Sequence, residues 1–293
     1  MGKVRIFDSS FTPFVKSFSL REENKDVHPT HFEWTTEGEP TKTTFIANGE
    51  IKNVVKHLGE DYWYPGVYEE KYVVALLTEP PDLHPEDYQA AYDLHGKFSH
   101  VLTYSKEWHE KMDGLVGNTR FYPLGGSSIA LEKWKVYPKS KSVCMIVSDK
   151  KTTEGHKLRH KIAEEFGDRI DLYGAGVGKP FDSKFEVLKD YRYCIVVESC
   201  EIDSYFSEKL IDALSVGCHP VYWGCPNIFS TYFDFLSAYQ FEEDMEYFRY
   251  VFDCLDPLSY EANKEFVEAN METAKKYRIA EDWIYENYKD LFE

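Results

Sequence analysis

The sequence predicts an α/β chain of two domains, each built on a mainly parallel sheet. Three observations carry this. Short runs of apolar, β-prone residues at 72–77, 143–147, 170–173 and 193–197 are followed by polar loops and helical stretches, as strands buried on both faces with helical crossovers would be. Residues 191–224, YRYCIVVESCEIDSYFSEKLIDALSVGCHPVYWG, contain a complete strand–loop–helix–turn–strand unit. A chain of 293 residues, 43% apolar and 16% aromatic, can fill two cores of ordinary size.

In chain order, residues 3–7 read as a first strand. Residues 22–42 are polar with scattered aromatics and the turn-like GEPTK, which predicts irregular surface structure. The strand at 72–77 runs into Thr78-Glu79-Pro80-Pro81. Glu79 therefore stands at the carboxyl end of a strand, where prolines stop the ladder and a cleft is expected. It is either a functional carboxylate or a cap for a helix at 81–95, a task Asp82 and Glu86 could equally perform. A further strand follows at 98–104. The turn-rich stretch 122–141 then precedes a fresh strand, dividing the chain into a domain at 1–135 and a second at 136–275. Residues 276–293 form a final helix whose Trp283, Tyr285, Tyr288 and Leu291 would pack back on the first domain.

The second domain opens with the strand at 143–147 and a helix at 155–166. That helix carries His156, Lys157, Arg159, His160 and Lys161, which read as a solvated basic face. His156 and His160 lack a third metal ligand. The strand at 170–173 leads into Gly174-Ala175-Gly176-Val177-Gly178-Lys179. In G-x-G-x-x-G the last glycine would fall on Lys179, and a Walker A loop would need Gly at Tyr173 and Ser or Thr at Pro180, so both nucleotide fingerprints fail. Beyond Trp223 the pattern is helical at 226–232, 243–252 and 259–291, with a break near Arg278.

Within 191–224 the strand delivers Glu198 and a polar loop. Ser207 is placed to cap the next helix with Glu208 in its first turn, Leu210, Ile211 and Leu214 share one face, and Gly217 stops it. The helix N-terminus and the strand end converge on one spot flanked by Tyr205 and Lys209. This is either an ordinary crossover or a seat for an anionic phosphate.

Glu198, Tyr205, Ser207-Glu208-Lys209, Asp212-Ala213 and His219-Pro220-Val221-Tyr222-Trp223-Gly224 resemble the signature of the α1,3/α1,4-fucosyltransferases, glycosyltransferase family 10. Ser199 stands where that family usually has Asn. The resemblance extends over about residues 72–224, through Glu79, Ser105-Lys106, the 121–125 segment, Arg159 seven residues before Phe166, Tyr173-Gly174, Lys184, Leu188 and Tyr191. It implies a GT-B fold, two Rossmann-like domains facing a cleft. It further implies an inverting transfer of fucose from GDP-fucose to a glycan hydroxyl. Glu79 would be the general base, Arg159 and Lys209 would meet the diphosphate, and Glu208 the ribose hydroxyls. Glu198, Ser199, Tyr205 and Ser207 would complete the donor site. The aromatic stretch DYWYPGVY at 61–68 would be either a packed loop or a platform for acceptor sugar rings.

Other readings of the same fold are a different GDP- or UDP-sugar donor, or a carbohydrate- or nucleotide-binding protein without catalysis. A retaining transferase would show two glutamates eight apart. Here Glu201 and Glu208 are seven apart, and Glu198 and Glu208 ten. No two aspartates are two residues apart, so a D-x-D metal motif is missing, and no metal or other cofactor is expected. A formal charge of −17 argues against a nucleic-acid or anionic-membrane surface. No stretch approaches the roughly 18 apolar residues of a membrane span. The start MGKVRIFDSSF has no leader-like pattern, and six irregularly spaced cysteines predict a reducing cytoplasm.

Overall fold

The computed structural model describes residues 2–8, 16–36, 43–47, 49–54, 57 and 72–292. The chain forms two compact units. The first comprises Met1–Leu20, Lys25–Leu124 and Ile279–Glu293, the second Arg21–Asn24 and Gly125–Arg278. The main crossing, Leu124 to Gly125, lies near the start of the turn-rich stretch 122–141. The short piece Arg21–Asn24 carries no compositional signal for leaving its neighbours.

The first unit is a six-stranded sheet of β1 (Gly2–Phe7), β2 (Phe32–Thr35), β3 (Thr43–Ala47), β4 (Tyr72–Leu77), β5 (His100–Thr103) and β6 (Thr119–Phe121). The order is β2-β1-β3-β4-β5-β6 and every pairing is parallel. The interior strand β3 is buried throughout, as its neighbours on both edges require. Helix α1 (Pro85–Asp93) begins later than the 81–95 expectation because a turn intervenes, in which the Leu83 and His84 amides both donate to Pro80 O. Helix α2 (Lys106–Val116) is capped by Ser105, whose side chain accepts the Trp108 amide, and ends at Gly117 with φ 68°. The expectation of irregular structure over 22–42 is corrected at Phe32–Thr35. Its partner β1 is some thirty residues away in sequence, and alternation over four residues is too short to read.

The second unit holds β7 (Lys141–Ile146), β8 (Asp171–Tyr173), β9 (Tyr191–Val197), β10 (His219–Trp223) and β11 (Tyr239–Gln240) in the order β11-β10-β9-β7-β8, again parallel. Helices α3 (Glu154–Phe166), α4 (Lys184–Leu188), α5 (Glu208–Ser215), α6 (Ile228–Thr231), α7 (Met245–Asp253), α8 (Pro257–Ala262) and α9 (Lys264–Ala274) accompany the sheet. The central strand β9 feeds two cores, which explains its unbroken apolar run. Cys194 and Val196 pack with Leu210, Ile211 and Leu214 of α5. Tyr193, Ile195 and Val197 pack with Leu158, Ile162 and Phe166 of α3. Burying each such aliphatic side chain contributes about 1.5–3 kcal/mol. After α5, Gly217 turns the chain at φ 74°. It does so against Val136, whose atoms would stand 2.9 Å from any Cβ, so glycine is required twice over.

The chain then returns to the first unit as α10 (Ala280–Asn287). Glu281 on this helix is fully buried. Its carboxylate accepts Ser17 Oγ at 2.6 Å and the Phe18 amide at 2.7 Å, and it also takes the Ser19 hydroxyl. Asp282 accepts both the amide and the hydroxyl of Thr30 at 2.6 Å.

Candidate functional site

A cavity of about 300 Å³ lies in the second unit at the carboxyl ends of β7, β8 and β9. Strand residues such as Val196 form its apolar wall, while Arg159, Lys184, Glu208, Lys209 and Asp212 supply the charge. The carboxyl end of a parallel sheet is where such folds expose loops and helix N-termini together.

Glu198 organises the spot. It is fully buried at the end of β9, and its amide donates to Trp223 O at 2.9 Å. One carboxylate oxygen accepts the Ser207 amide at 2.9 Å. The other accepts Ser207 Oγ at 2.7 Å and Lys209 Nζ at 3.2 Å. The strand end is thereby pinned to the first turn of α5, and Lys209 is held with its ammonium in the cavity wall. On the other side α3 begins close against the same strand. The Gly155 amide donates to Ser199 O at 3.1 Å, and a Cβ on Gly155 would stand 1.8 Å from Glu198 O. One turn further, Arg159 is 6% exposed. Its Nε donates to Gly155 O at 3.3 Å and one terminal nitrogen to Ser148 Oγ at 3.4 Å, while the other terminal nitrogen is buried without a partner. Burial pulls the guanidinium pKa down, against the opposing fields of Glu198, Tyr205 and Glu208.

The remaining charges alternate in sign. Glu208 Oε1 stands 3.6 Å from Lys184 and 3.8 Å from Lys209, and its Oε2 stands 3.9 Å from Arg21. Lys184 in turn stands 3.1 Å from Asp212 and 3.9 Å from Glu22. Burial alone would raise the Glu208 pKa, but Lys209, Lys184, Arg21 and the Ser207 hydroxyl together hold it well below the usual carboxylate range. Burial would likewise lower Lys184, but Asp212, Glu208 and Glu22 outweigh it and leave it firmly charged. Glu208 is thus an ionised acceptor, and Arg159 is a cation with an unspent donor.

Of the residues singled out from sequence, Arg159, Glu208 and Lys209 line the cavity, with Glu198 and Ser207 anchoring Lys209 from behind. Ser199 and Tyr205 are 7% and 3% exposed and do not line it. Ser199 meets α3 through its carbonyl, and the Tyr205 amide donates to Ile202 O. Glu79 belongs to the first unit, half-buried two residues after β4. The stretch 61–68 lies outside the described residues. His156 is a cap. Its Nδ1 accepts the Thr153 amide at 3.3 Å, and burial together with Arg159, Lys150 and Lys209 pulls its pKa down to about 4. Among the described residues, no group of three or more His, Cys, Asp or Glu could hold a metal ion.

Sequence reasoning assigned no site role to Lys184, Asp212 or the Arg21–Glu22 pair. Asp212 was within reach, since it stands four residues after Glu208 and so shares its helix face. Lys184 sits in a five-residue helix with no periodicity to read, and Arg21 and Glu22 arrive from over a hundred residues away.

The fold defines a class: two Rossmann-like units of parallel sheet, as in the GT-B fold. Residues 136–264 match the model of "Glycosyltransferase family 10 (fucosyltransferase) C-term", so the resemblance to that family holds over most of the second unit. The chain is 24% identical over 230 residues to GDP-fucose protein O-fucosyltransferase 3 of Danio rerio, covering 67% of this chain and 49% of that protein. It is 22% identical over 202 residues to the α-(1,3)-fucosyltransferase FucT of Helicobacter pylori, covering 59% and 42%. It thus spans about half the length of these relatives. Among solved structures, an α1,3-fucosyltransferase with GDP superposes with TM-score 0.53 at 14% identity, over 99% of this chain and 88% of that one. Anabaena HepE in complex with UDP-glucose superposes with TM-score 0.62 at 11% identity, over 99% and 100%. At these identities the likeness is one of fold. No helix among the described residues is long and apolar enough to cross a membrane.

Proposed function

We propose that this protein is an inverting glycosyltransferase that moves fucose from GDP-fucose to a hydroxyl of a glycan acceptor, without a metal ion. The observation that carries the reading is Arg159, a buried guanidinium with an unspent donor in a cavity that also receives Lys209 and the N-terminus of α5. A desolvated cation of this kind calls for an anion, and its planar fork suits phosphate oxygens. The ionised Glu208 beside it suits hydroxyl donors, as carboxylates do at the ribose of dinucleotide sites. A diphosphate attached to a ribose meets both demands, and the fucosyltransferase relatives supply the sugar.

In this reading Glu79, by resemblance, takes the proton of the acceptor hydroxyl as its oxygen attacks the anomeric carbon. The bond from that carbon to the diphosphate oxygen breaks in the same displacement, inverting the centre. The charge gathering on the diphosphate is met by Arg159, Lys209 and the α5 dipole, in place of a divalent cation. Ser207 and Glu198 hold Lys209 in place, while Ser199 and Tyr205 shape the loop around it. Six irregularly spaced cysteines, five of them buried, support a reducing compartment such as the cytoplasm.

Titration calorimetry with GDP, GDP-fucose, UDP and UDP-glucose tests the donor. GDP and GDP-fucose should bind, with Arg159→Ala and Lys209→Ala each weakening binding at least about tenfold and Glu79→Gln leaving it intact while abolishing transfer. Ser199, in place of the family's Asn, favours a second donor reading. Binding of UDP-glucose in preference to GDP-fucose would establish it and end the fucose assignment. Binding of no nucleotide would end the transferase reading.

A further inference from the structure

The segment Arg21–Asn24 is built into the second unit although its sequence neighbours on both sides belong to the first. It is anchored along its whole length. The Arg21 amide donates to Ser127 O at 3.0 Å and the Glu23 amide to Ser128 O at 3.2 Å. Glu23 accepts Ser183 Oγ at 2.7 Å and pairs with Lys133 at 3.0 Å. Asn24 donates to Ser127 O at 3.2 Å and accepts Arg278 at 3.1 Å. Glu22 holds φ at 46°, a left-handed conformation that a non-glycine residue adopts only where its surroundings dictate it.

What this anchoring presents is a pair of charges. Lys184 and Lys209 both approach Glu208 at Oε1, whereas Arg21 approaches Oε2 at 3.9 Å. The carboxylate thus has a cation near each oxygen, Arg21 at Oε2 and the two lysines at Oε1. Glu22 acts one step back. At 3.9 Å from Lys184 it shares that ammonium with Asp212 and so limits how far Lys184 is drawn onto Glu208.

We infer that Arg21 and Glu22 are positioning residues that set Glu208 to receive a vicinal diol, the 2′- and 3′-hydroxyls of the nucleotide's ribose. The assignment rests on the donor reading above. Neither residue needs to touch the ligand, because each acts through the orientation and charge of Glu208. Loss of Arg21 frees Oε2. Loss of the Glu22 charge lets Lys184 close on Oε1 and compete with the ribose.

The test compares GDP with 2′,3′-dideoxy-GDP by titration calorimetry on the wild type and on Arg21→Ala, Arg21→Lys and Glu22→Gln. Hydrogen bonds to a charged acceptor should make the wild type prefer GDP by about tenfold or more. Arg21→Ala and Glu22→Gln should narrow that preference to roughly threefold or less by weakening GDP alone, with Arg21→Lys recovering part of it. Equal weakening of both ligands would show a merely structural strap and overturn the assignment, as would an unchanged ratio. Should Arg21→Ala fail to fold, the isosteric Glu22→Gln decides. A wild type that binds neither GDP nor UDP removes the donor reading itself, and the strap's role with it. That result needs no variant and is distinct from a lost ratio effect.

Discussion

Glu198 and Ser207 are joined twice, the carboxylate taking the serine amide at 2.9 Å and its hydroxyl at 2.7 Å, with Lys209 added at 3.2 Å on the oxygen that holds the hydroxyl. This one buried carboxylate therefore fixes a strand end, a helix start and a cavity cation. Removing it takes the acceptor from the Ser207 amide and hydroxyl and leaves Lys209 on Ser207 Oγ at 2.9 Å. Glu198→Ala should cost about 3–5 kcal/mol of stability, read by urea unfolding, and should weaken nucleotide binding in whatever fraction stays folded. A loss under 1 kcal/mol would show that Lys209 and Ser207 find other partners.

Gly155 lets α3 start against the end of β9. A methyl group there would stand 1.8 Å from Glu198 O, backbone that cannot step aside. Gly155→Ala should destabilise by about 3 kcal/mol and move Arg159, one turn along, out of register with the cavity. Unfolding midpoint and GDP affinity should fall together. An unchanged affinity would mean that Arg159 is placed by something other than the helix start.

His156 gives the fold a pH dependence of defined sign. Its ordinary pKa of 6.5 falls to about 4 in the folded chain, chiefly through burial and then through Arg159, Lys150 and Lys209. The folded state thus favours the neutral ring, whose Nδ1 accepts the Thr153 amide. Its contribution is complete above pH 6.5 and drains away as pH falls through 6.5 toward 4. Melting temperature followed across that window should drop in the wild type. It should drop less in His156→Gln, because glutamine at the third helical position can accept the same amide without titrating. Parallel curves would assign the pH dependence elsewhere.

Glu281 is the corresponding anchor in the first unit, fully buried and satisfied by Ser17, the Phe18 amide and Ser19. Glu281→Ala should cost about 3 kcal/mol or more by taking the acceptor from Ser17, the Phe18 amide, Ser19 and Trp34 Nε1. Glu281→Gln, which keeps an acceptor oxygen, should cost less. Hydrogen exchange should localise the effect to residues 17–20 and 280–287. Uniform loosening of the chain would contradict it.

The sequence disclosed the site where local chemistry and periodicity coincide. The β9–α5–β10 unit is legible because β9 is apolar on both faces, Ser207 is a cap, and Gly217 stands where the chain must turn at positive φ. Arg159 needed more than its own sequence context, since on α3 it is one base among several, and only Gly155 tucked under β9 turns it inward. The short edge strand at Phe32–Thr35 and the Arg21–Glu22 charges stayed hidden for a common reason. Their meaning lies entirely in partners distant along the chain, which no local window contains.

The division of the chain bears on the order in which it is made. The first unit is assembled from three separate pieces, the last beginning at Ile279, and the second from two. During synthesis, then, the earliest strands emerge long before the helix bearing Glu281, so Ser17 and Ser19 wait through the translation of the whole second unit. The second unit waits in the other direction, holding residues 21–24 unplaced until Ser127, Ser183 and Arg278 arrive. Each sheet can pair early, but the second unit closes only once Arg278 has emerged, and the first only once the helix bearing Glu281 has.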